Sequence, residues 1–176
     1  MNAAVACRIE RRLGARIRAV RPSVDVDQLL IGAQFADAFS VVVDDPALDA
    51  RRAAEKAFRH SPPWFVGLMA VRNHVMARFG VKTPVPASID DDGTIGLFPI
   101  IAETPDRLVM GFDDKHLDFR GIIDVAAGIK GRRVTLTTLV RTHNPLGRAY
   151  LATVLPFHRI VVRSMLRQVR RPARRR

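Results

Sequence analysis

The chain has 176 residues, of which 48% are hydrophobic, and a formal net charge of +12. This size suits one domain with a real core, and the composition excludes wholesale disorder. The single cysteine, Cys7, excludes an internal disulfide, and no apolar run approaches the roughly 20 residues that span a bilayer. We therefore expect a cytoplasmic protein.

The positive charge is concentrated at the two ends of the chain. Residues 1–21 carry +5 and residues 159–176 carry +8, which leaves −1 for the 137 residues between them. The overall charge is therefore a poor guide to function. Both ends also lack the aromatic side chains that stack on single-stranded bases, which argues against nucleic acid as the partner. Weak contact with an anionic membrane surface or an acidic protein stays open for them.

Residues 3–20 have apolar side chains at helical spacing, with arginines around the rest of the wheel. The pattern is typical of a basic amphipathic helix on a membrane surface, or of a loosely ordered extension. The extension is the preferred interpretation, because terminal segments are commonly disordered unless they dock. We therefore divide the chain into a basic arm at 1–23, one domain at 24–170 and an arginine-rich tail at 171–176.

Residues 35–43 alternate and end in three valines, which predicts a strand. Asp45-Pro46 then predicts a helix start, because aspartate caps helices and proline suits the first helical position. That helix is expected to bury Leu48, Ala54, Ala57 and Phe58. Ser61-Pro62 predicts a second short helix in the same way, with an inner stripe of Phe65, Leu68, Met69, Arg72, Val75, Met76 and Phe79.

Four further strands are predicted after a loop at 82–93. Residues 94–103 are apolar on both faces, which favours a central strand. The other three are expected at 107–112, 116–126 and 133–143. The short turns between them favour antiparallel neighbours.

Asn144-Pro145 predicts the start of a last helix that ends near residue 170. At 1.5 Å per residue it would be on the order of 38 Å long, with a kink at Pro156. We expect a core-facing stripe of Tyr150, Val154, Phe157, Val161 and Met165, and an exposed stripe of Arg159, Arg163, Arg167 and Arg170. The order of elements predicts an α+β fold in which a curved antiparallel sheet wraps around the C-terminal helix and leaves a cavity beside it.

Several short motifs carry a resemblance to a known family. They are Phe35-Ala36-Asp37-Ala38-Phe39, Pro63-Trp64, Leu68 to Arg72, His116-Leu117-Asp118-Phe119-Arg120, Thr142-His143-Asn144, Gly147-Arg148-Ala149-Tyr150 and Pro156-Phe157-His158-Arg159. Over about residues 24–170 the chain resembles the uncharacterised bacterial domain-of-unknown-function family 2867, which is similar to the START-like group of helix-grip folds.

The resemblance implies a START-like helix-grip domain, with two short helices after the first strand and a hydrophobic or amphipathic ligand such as a lipid. It supplies no known reaction. Related domains occur attached to dehydrogenases, and this chain has no G-x-G-x-x-G phosphate loop. Such a dehydrogenase would therefore be a separate partner protein.

His116, Asp118 and Arg120 have the period-two spacing that places side chains on one face of a strand. We expect Asp118 to accept hydrogen bonds from both neighbours, which would fix the tautomer of His116 and leave Arg120 for an anionic ligand head. Inside a cavity this row would polarise a carbonyl or move a proton. On a solvated face it would form ordinary cross-strand ion pairs. The resemblance favours the cavity.

The other ligand-binding candidates lie on or beside the predicted helices, and His143 and Arg148, with the cap Asn144, would meet a ligand at the mouth of the cavity. They are Arg72, His143, Arg148, Tyr150 and His158. Most of them also have a structural interpretation. His143 ends a strand beside the cap Asn144, and Tyr150 packs in the core with Trp64 and Phe157. His158 fills the carbonyl freed at Ala152 or points into the cavity, and Arg72, if buried, needs Asp37 or Asp118 as its partner.

No metal or cofactor is expected, because the five histidines lack zinc-type spacing and Cys7 lacks a partner base. We favour a binding module for a small hydrophobic or amphipathic molecule over an enzyme. One alternative is a cyclase or dehydratase in which Asp118 and His116 act as acid and base. The other is attachment of the arginine-rich ends to an anionic membrane or an acidic partner.

Overall fold

The computed structural model describes residues 16–58, 93–96, 98–128 and 131–170. Within these ranges the strands are β1 Arg18–Val20, β2 Phe35–Val43, β3 Thr94–Ile95, β4 Phe98–Glu103, β5 Arg107–Asp113, β6 Leu117–Gly128 and β7 Gly131–Thr142. The helices are α1 Val26–Leu29, α2 Ala50–Phe58 and α3 Pro145–Val169.

The strands form one curved antiparallel sheet in the order β1-β2-β7-β6-β5-β4-β3. β3 to β7 follow one another as a meander, and β2 pairs with β7, so the first long strand lies beside the last. α3 packs against α2, β7 and β2. The predicted α+β helix-grip fold is confirmed.

The inner face of the sheet, as we name it, is the one that packs against α2 and α3. Its buried strand residues are Phe39, Val41, Val43, Leu108, Met110, Ile123, Val125, Val134 and Leu136. They contact the alanines of α2 and the last two turns of α3, from Val162 to Val169. Each fully buried aliphatic side chain of this kind contributes about 1.5–3 kcal/mol, so this cluster is the main source of stability.

The opposite, outer face carries a second buried cluster that sequence reasoning missed. Leu30, Val109, Ile122 and Leu139 are buried together, with Val24, Val26, Leu29 and Ala33 packed against them. α1 contributes Val26 and Leu29 to this outer cluster. Asp25 caps its first turn by accepting a hydrogen bond from the amide of Gln28 at 3.2 Å. The sequence did contain a signal for this cluster, because Ile122 is an apolar residue on the otherwise polar face of β6.

The prediction of a central strand at 94–103 is wrong. Gly96, with φ of +61°, separates β3 from β4, and the two strands lie at one end of the sheet order. An apolar run on both faces therefore did not indicate burial on both sides. Ile100 packs against the inner core, whereas Ile101 on the other face is exposed.

The predicted start of α2 is also wrong. Asp45-Pro46 forms a turn, and the helix begins at Ala50, where Asp49 accepts a hydrogen bond from the amide of Arg52 at 2.7 Å. The predicted inward positions are nevertheless those that pack. Three are buried and the fourth is half-buried against the core: Leu48, Ala54, Ala57 and Phe58.

Parts of three predictions lie outside the described residues. They are the second short helix with Trp64 and Arg72, the loop at 82–92, and the arm before residue 16. Where the arm is described, residues 18–20 form a strand paired with 38–40, so the predicted helix does not extend to Val20.

α3 begins as predicted. Asn144 accepts a hydrogen bond from the amide of Gly147 at 3.0 Å, and Pro145 occupies the first turn. The arginine stripe is exposed, as predicted. Phe157, however, is 49% exposed, so its assignment to the core-facing stripe is wrong. Pro156 lies inside the helix, and the kink there stays a prediction.

Among the described helices, none has both the length and the apolarity needed to cross a membrane.

Candidate functional site

A histidine–aspartate pair joins α3 to the inner face of the sheet. Nε2 of His158 lies 3.0 Å from Oδ1 of Asp37, and the two side chains are only 14% and 21% exposed. The ring of Phe35, two residues earlier on the same strand face, meets the imidazole edge-on at 5.5 Å. His158 therefore pairs with a carboxylate on the sheet instead of the carbonyl of Ala152.

Three phenylalanines on the inner face form what we call the aromatic patch: Phe98, Phe112 and Phe119. Phe112 and Phe119 are cross-strand partners, and their ring centroids are 5.7 Å apart. Phe98 adds a third ring at 5.1 Å from Phe119 and 6.2 Å from Phe112. All three side chains are half-buried, in contrast to the fully buried aliphatic residues farther along the same face.

The stripe of α3 side chains that faces the sheet shows the same contrast between fully buried and half-buried residues. From Val162 onward its side chains are buried, whereas Tyr150, Val154, His158 and Val161 are half-buried. These positions fall on one stripe at helical spacing. The inner face is therefore sealed along the last part of α3 and only partly covered along the first.

The predicted row of His116, Asp118 and Arg120 is divided among three separate partners. Nδ1 of His116 lies 2.8 Å from Nδ2 of Asn144. Oδ2 of Asp118 lies 2.9 Å from Nε2 of His143, and its Oδ1 accepts a hydrogen bond from a backbone amide. The expectation that Asp118 would hold both of its neighbours is therefore wrong.

Arg120 forms a two-pronged ion pair with Asp113, at 2.6 and 3.1 Å, and also donates to the carbonyls of Phe112 and Phe119. The hydrogen bond from Arg120 lowers the pKa of Asp113, partial burial opposes the shift, and the charges of Arg120 and His143 add to it. This arginine is committed to the protein and is not free for a ligand head.

The row also faces away from α3. Asp118 and Arg120 share a strand face with Ile122, which packs in the outer cluster. Asp118 is 8% exposed, so it is a buried structural acid on the outer side of the sheet. Among the described residues, the ion pair that the structure forms between the sheet and α3 is that of Asp37 with His158. Sequence reasoning named both, but did not pair them.

The start of α3 packs directly on the chain that precedes β6. A Cβ at Gly147 would lie 2.0 Å from the carbonyl oxygen of His116, so only glycine fits there. The side-chain amide of Asn144 connects the same two segments, because it donates a hydrogen bond to the carbonyl of Lys115 at 3.0 Å. Arg148 is exposed beside this junction, and Tyr150 is half-buried. The residues predicted for the mouth of a cavity thus serve largely to hold the start of α3 against the segment before β6.

An open groove of about 540 Å³ lies on the outer side, across β1, β2 and β7. It is therefore not the cavity predicted between the sheet and the C-terminal helix, which stays a prediction. In the described part of the chain no three His, Cys, Asp or Glu side chains cluster in a way that would hold a metal ion.

The sequence profile of a family described as "Protein of unknown function (DUF2867)" matches residues 29–165, more than half of the chain. The chain belongs to the DUF2867 family. The resemblance carried by the short motifs is thereby confirmed, and the family description assigns no ligand or reaction. No curated protein matches the chain.

Three solved structures are similar in outline to this DUF2867 protein, each at 11% identity. A protein from Rhodobacter sphaeroides has a TM-score of 0.41, covering 88% of this chain and 95% of its own. A putative uncharacterized protein from Rhizobium leguminosarum also scores 0.41, covering 90% and 100%. CalU16 from Micromonospora echinospora scores 0.34, covering 88% and 92%. At these scores the likenesses carry no argument about a ligand.

Proposed function

We propose that this DUF2867 protein binds a small amphipathic molecule between the aromatic patch and the first half of α3. One observation carries the proposal. The two surfaces that would enclose the ligand, the patch and the stripe from Tyr150 to Val161, are both half-buried, whereas the adjoining inner face is fully buried. Apolar surface left partly open beside a closed core is where a ligand gains most from burial.

The polar part of such a ligand would meet the Asp37–His158 pair. A carboxylate that holds one imidazole nitrogen fixes the ring and leaves the other nitrogen for a ligand hydroxyl or carbonyl. Neighbouring strands lie about 4.8 Å apart, so Asp37 on β2 is about 10 Å from β6 and about 19 Å from β4, across the intervening strands. A ligand of that length would have its polar end at α3 and its apolar body over the patch.

The order of elements supports placing the domain in the START-like group, whose members hold apolar ligands between sheet and helix. Catalysis by His116 and Asp118 loses its geometric basis, because these residues have different partners and Asp118 lies on the outer face. A separate dehydrogenase partner, attachment through the arginine-rich ends and a cytoplasmic location stay predictions.

A filling substitution tests the proposal. Val154→Trp places a large ring on the half-buried stripe of α3, and Ala152→Trp places the same ring on an exposed position of the same helix. Binding of 8-anilinonaphthalene-1-sulfonate is followed by fluorescence, after urea unfolding has shown that both variants are cooperatively folded. We expect Val154→Trp to weaken binding by at least about tenfold, a change of about 1.4 kcal/mol, and Ala152→Trp to leave it unchanged. Equal affinities in the two variants would place the probe elsewhere and contradict the proposal.

A further inference from the structure

The groove on the outer face has a charge pattern that the inner site does not share. Four arginines line it: Arg16, Arg18, Arg21 and Arg133. Within the part of the chain that the structure describes, no aspartate or glutamate lines it. Its volume of about 540 Å³ falls in the range of about 300–1,000 Å³ that small-molecule sites occupy.

These four arginines differ from most other basic residues of the described sheet and of α2, although Arg141 of β7 also has no carboxylate within 4.0 Å among the described residues. Arg51, Arg107, Arg120 and Arg132 each form an ion pair with a carboxylate. None of the groove arginines has a carboxylate within 4.0 Å among residues 16–58, 93–96, 98–128 and 131–170. The contrast is sharpest between the neighbours Arg132, paired with Asp106, and Arg133, which has no such partner there.

One acid on the strand next to the groove pairs with an arginine outside the groove. Asp124 is the cross-strand partner of Thr135, which lines the groove. Its carboxylate is held by Arg107, with Nε 2.6 Å from Oδ1. The positive charge of the groove is therefore left for a ligand.

The uncharged lining residues indicate what kind of anion fits. Ser23, Ser40 and Thr135 supply hydroxyl donors, and Val20 and Val42 supply apolar surface. Guanidinium forks with neighbouring hydroxyls match the geometry of a phosphate group. Its described lining includes no aromatic side chain, so these residues offer no stacking surface for single-stranded bases.

We infer that this groove binds a phosphate group, borne either by a small soluble molecule or by a lipid headgroup. The site lies on the face of the sheet away from α3, so it is independent of the proposed amphipath site. Because all four arginines are exposed, binding should weaken steeply as salt is raised.

Two probes distinguish the sources of the phosphate. Inorganic pyrophosphate is titrated by calorimetry, and vesicles of phosphatidylcholine with and without phosphatidic acid are tested by flotation. The variants are Arg133→Ala, Arg133→Lys, which keeps the charge but loses the fork, and Arg159→Ala, a matched loss of an exposed arginine outside the groove. Thermal unfolding confirms that each is folded.

We expect Arg133→Ala to weaken binding about tenfold, Arg133→Lys to weaken it less, and Arg159→Ala to leave it unchanged. This pattern with pyrophosphate supports a soluble ligand, and the same pattern only with phosphatidic acid vesicles supports a headgroup. The inference is overturned if neither probe binds, if Arg159→Ala has the same effect as Arg133→Ala, or if a single-stranded oligonucleotide binds more tightly than both probes.

Discussion

The two halves of α3 have different relations to the sheet beneath them. In the second half, Val162 and Leu166 are buried in the main core. In the first half, the same stripe is half-buried, its polar contact is His158 with Asp37, and Phe157 and Ile160 are 49% and 58% exposed. One helix thus serves as an anchor at one end and as the wall of a candidate site at the other. Folded proteins are only marginally stable. The buried side chains in the second half of α3 therefore hold the helix in place while the first half stays partly exposed.

The largest expected effect tests this contrast through stability. Leu166 is 1% exposed, so Leu166→Ala should lower the free energy of unfolding by about 2–5 kcal/mol, from lost burial and the cavity left behind. Val154→Ala should cost no more than about 1 kcal/mol, because Val154 is already partly exposed. Urea unfolding measures both values. Similar losses would mean that the two halves of α3 are equally packed.

The polar contact of the first half is tested by a double-mutant cycle on Asp37→Ala and His158→Ala. A part-buried hydrogen-bonded pair should show a coupling energy of about 1 kcal/mol in urea unfolding. The control cycle combines Asp37→Ala with His143→Ala, because His143 pairs with Asp118 on the outer face. Coupling there should be near zero. A vanishing value for the first cycle would show that α3 is not held at this point.

An effect of similar size tests whether the buried regions contain water. Thr137 is fully buried, and its hydroxyl has no hydrogen-bond partner among the described residues. Thr137→Val should therefore raise the free energy of unfolding by about 1 kcal/mol. Thr142→Val should lower it by a similar amount, because that hydroxyl lies 2.9 Å from Oε1 of Gln34. Destabilisation by Thr137→Val would reveal a polar partner, such as a bound water, in this part of the sheet.

The smallest effect concerns the outer pair beneath the aromatic patch. Arg120 holds Asp113 and lowers its pKa, so this carboxylate adds stability above its usual pKa of about 3.9 and loses it as pH falls through the lowered value. The side chain of Asp113 is 65% exposed, so Asp113→Asn should cost less than about 1 kcal/mol at pH 7. The difference should shrink below about pH 4. An undiminished difference at pH 3 would contradict the ion-pair origin.

Local signals in the sequence were sufficient for much of the fold. β2 and α3 were predicted within a residue or two, because alternation and the Asn144 cap act over a few residues. β1 was missed, since three exposed residues paired at a sheet edge leave no periodic signal. The position of 94–103 in the sheet depends on strand order, which local pattern does not encode.

The candidate site was predicted less well for the same reason. Spacing placed His116, Asp118 and Arg120 on one strand, but their partners are distant in sequence or on a neighbouring strand. The pair of Asp37 with His158 joins residues 121 positions apart. The arginine groove combines β1 with β2 and β7, so it could not be recognised before β1 was known.

Hydrogen exchange with and without dodecanoate tests the central claim most directly. In the free protein, amides of residues 148–158 should exchange faster than those of residues 162–169, since packing protects the second half of α3. Added dodecanoate should slow exchange at 148–158 and around the aromatic patch, and leave 162–169 unchanged. Protection confined to the outer groove, or none anywhere, would contradict an amphipath site under the first half of α3.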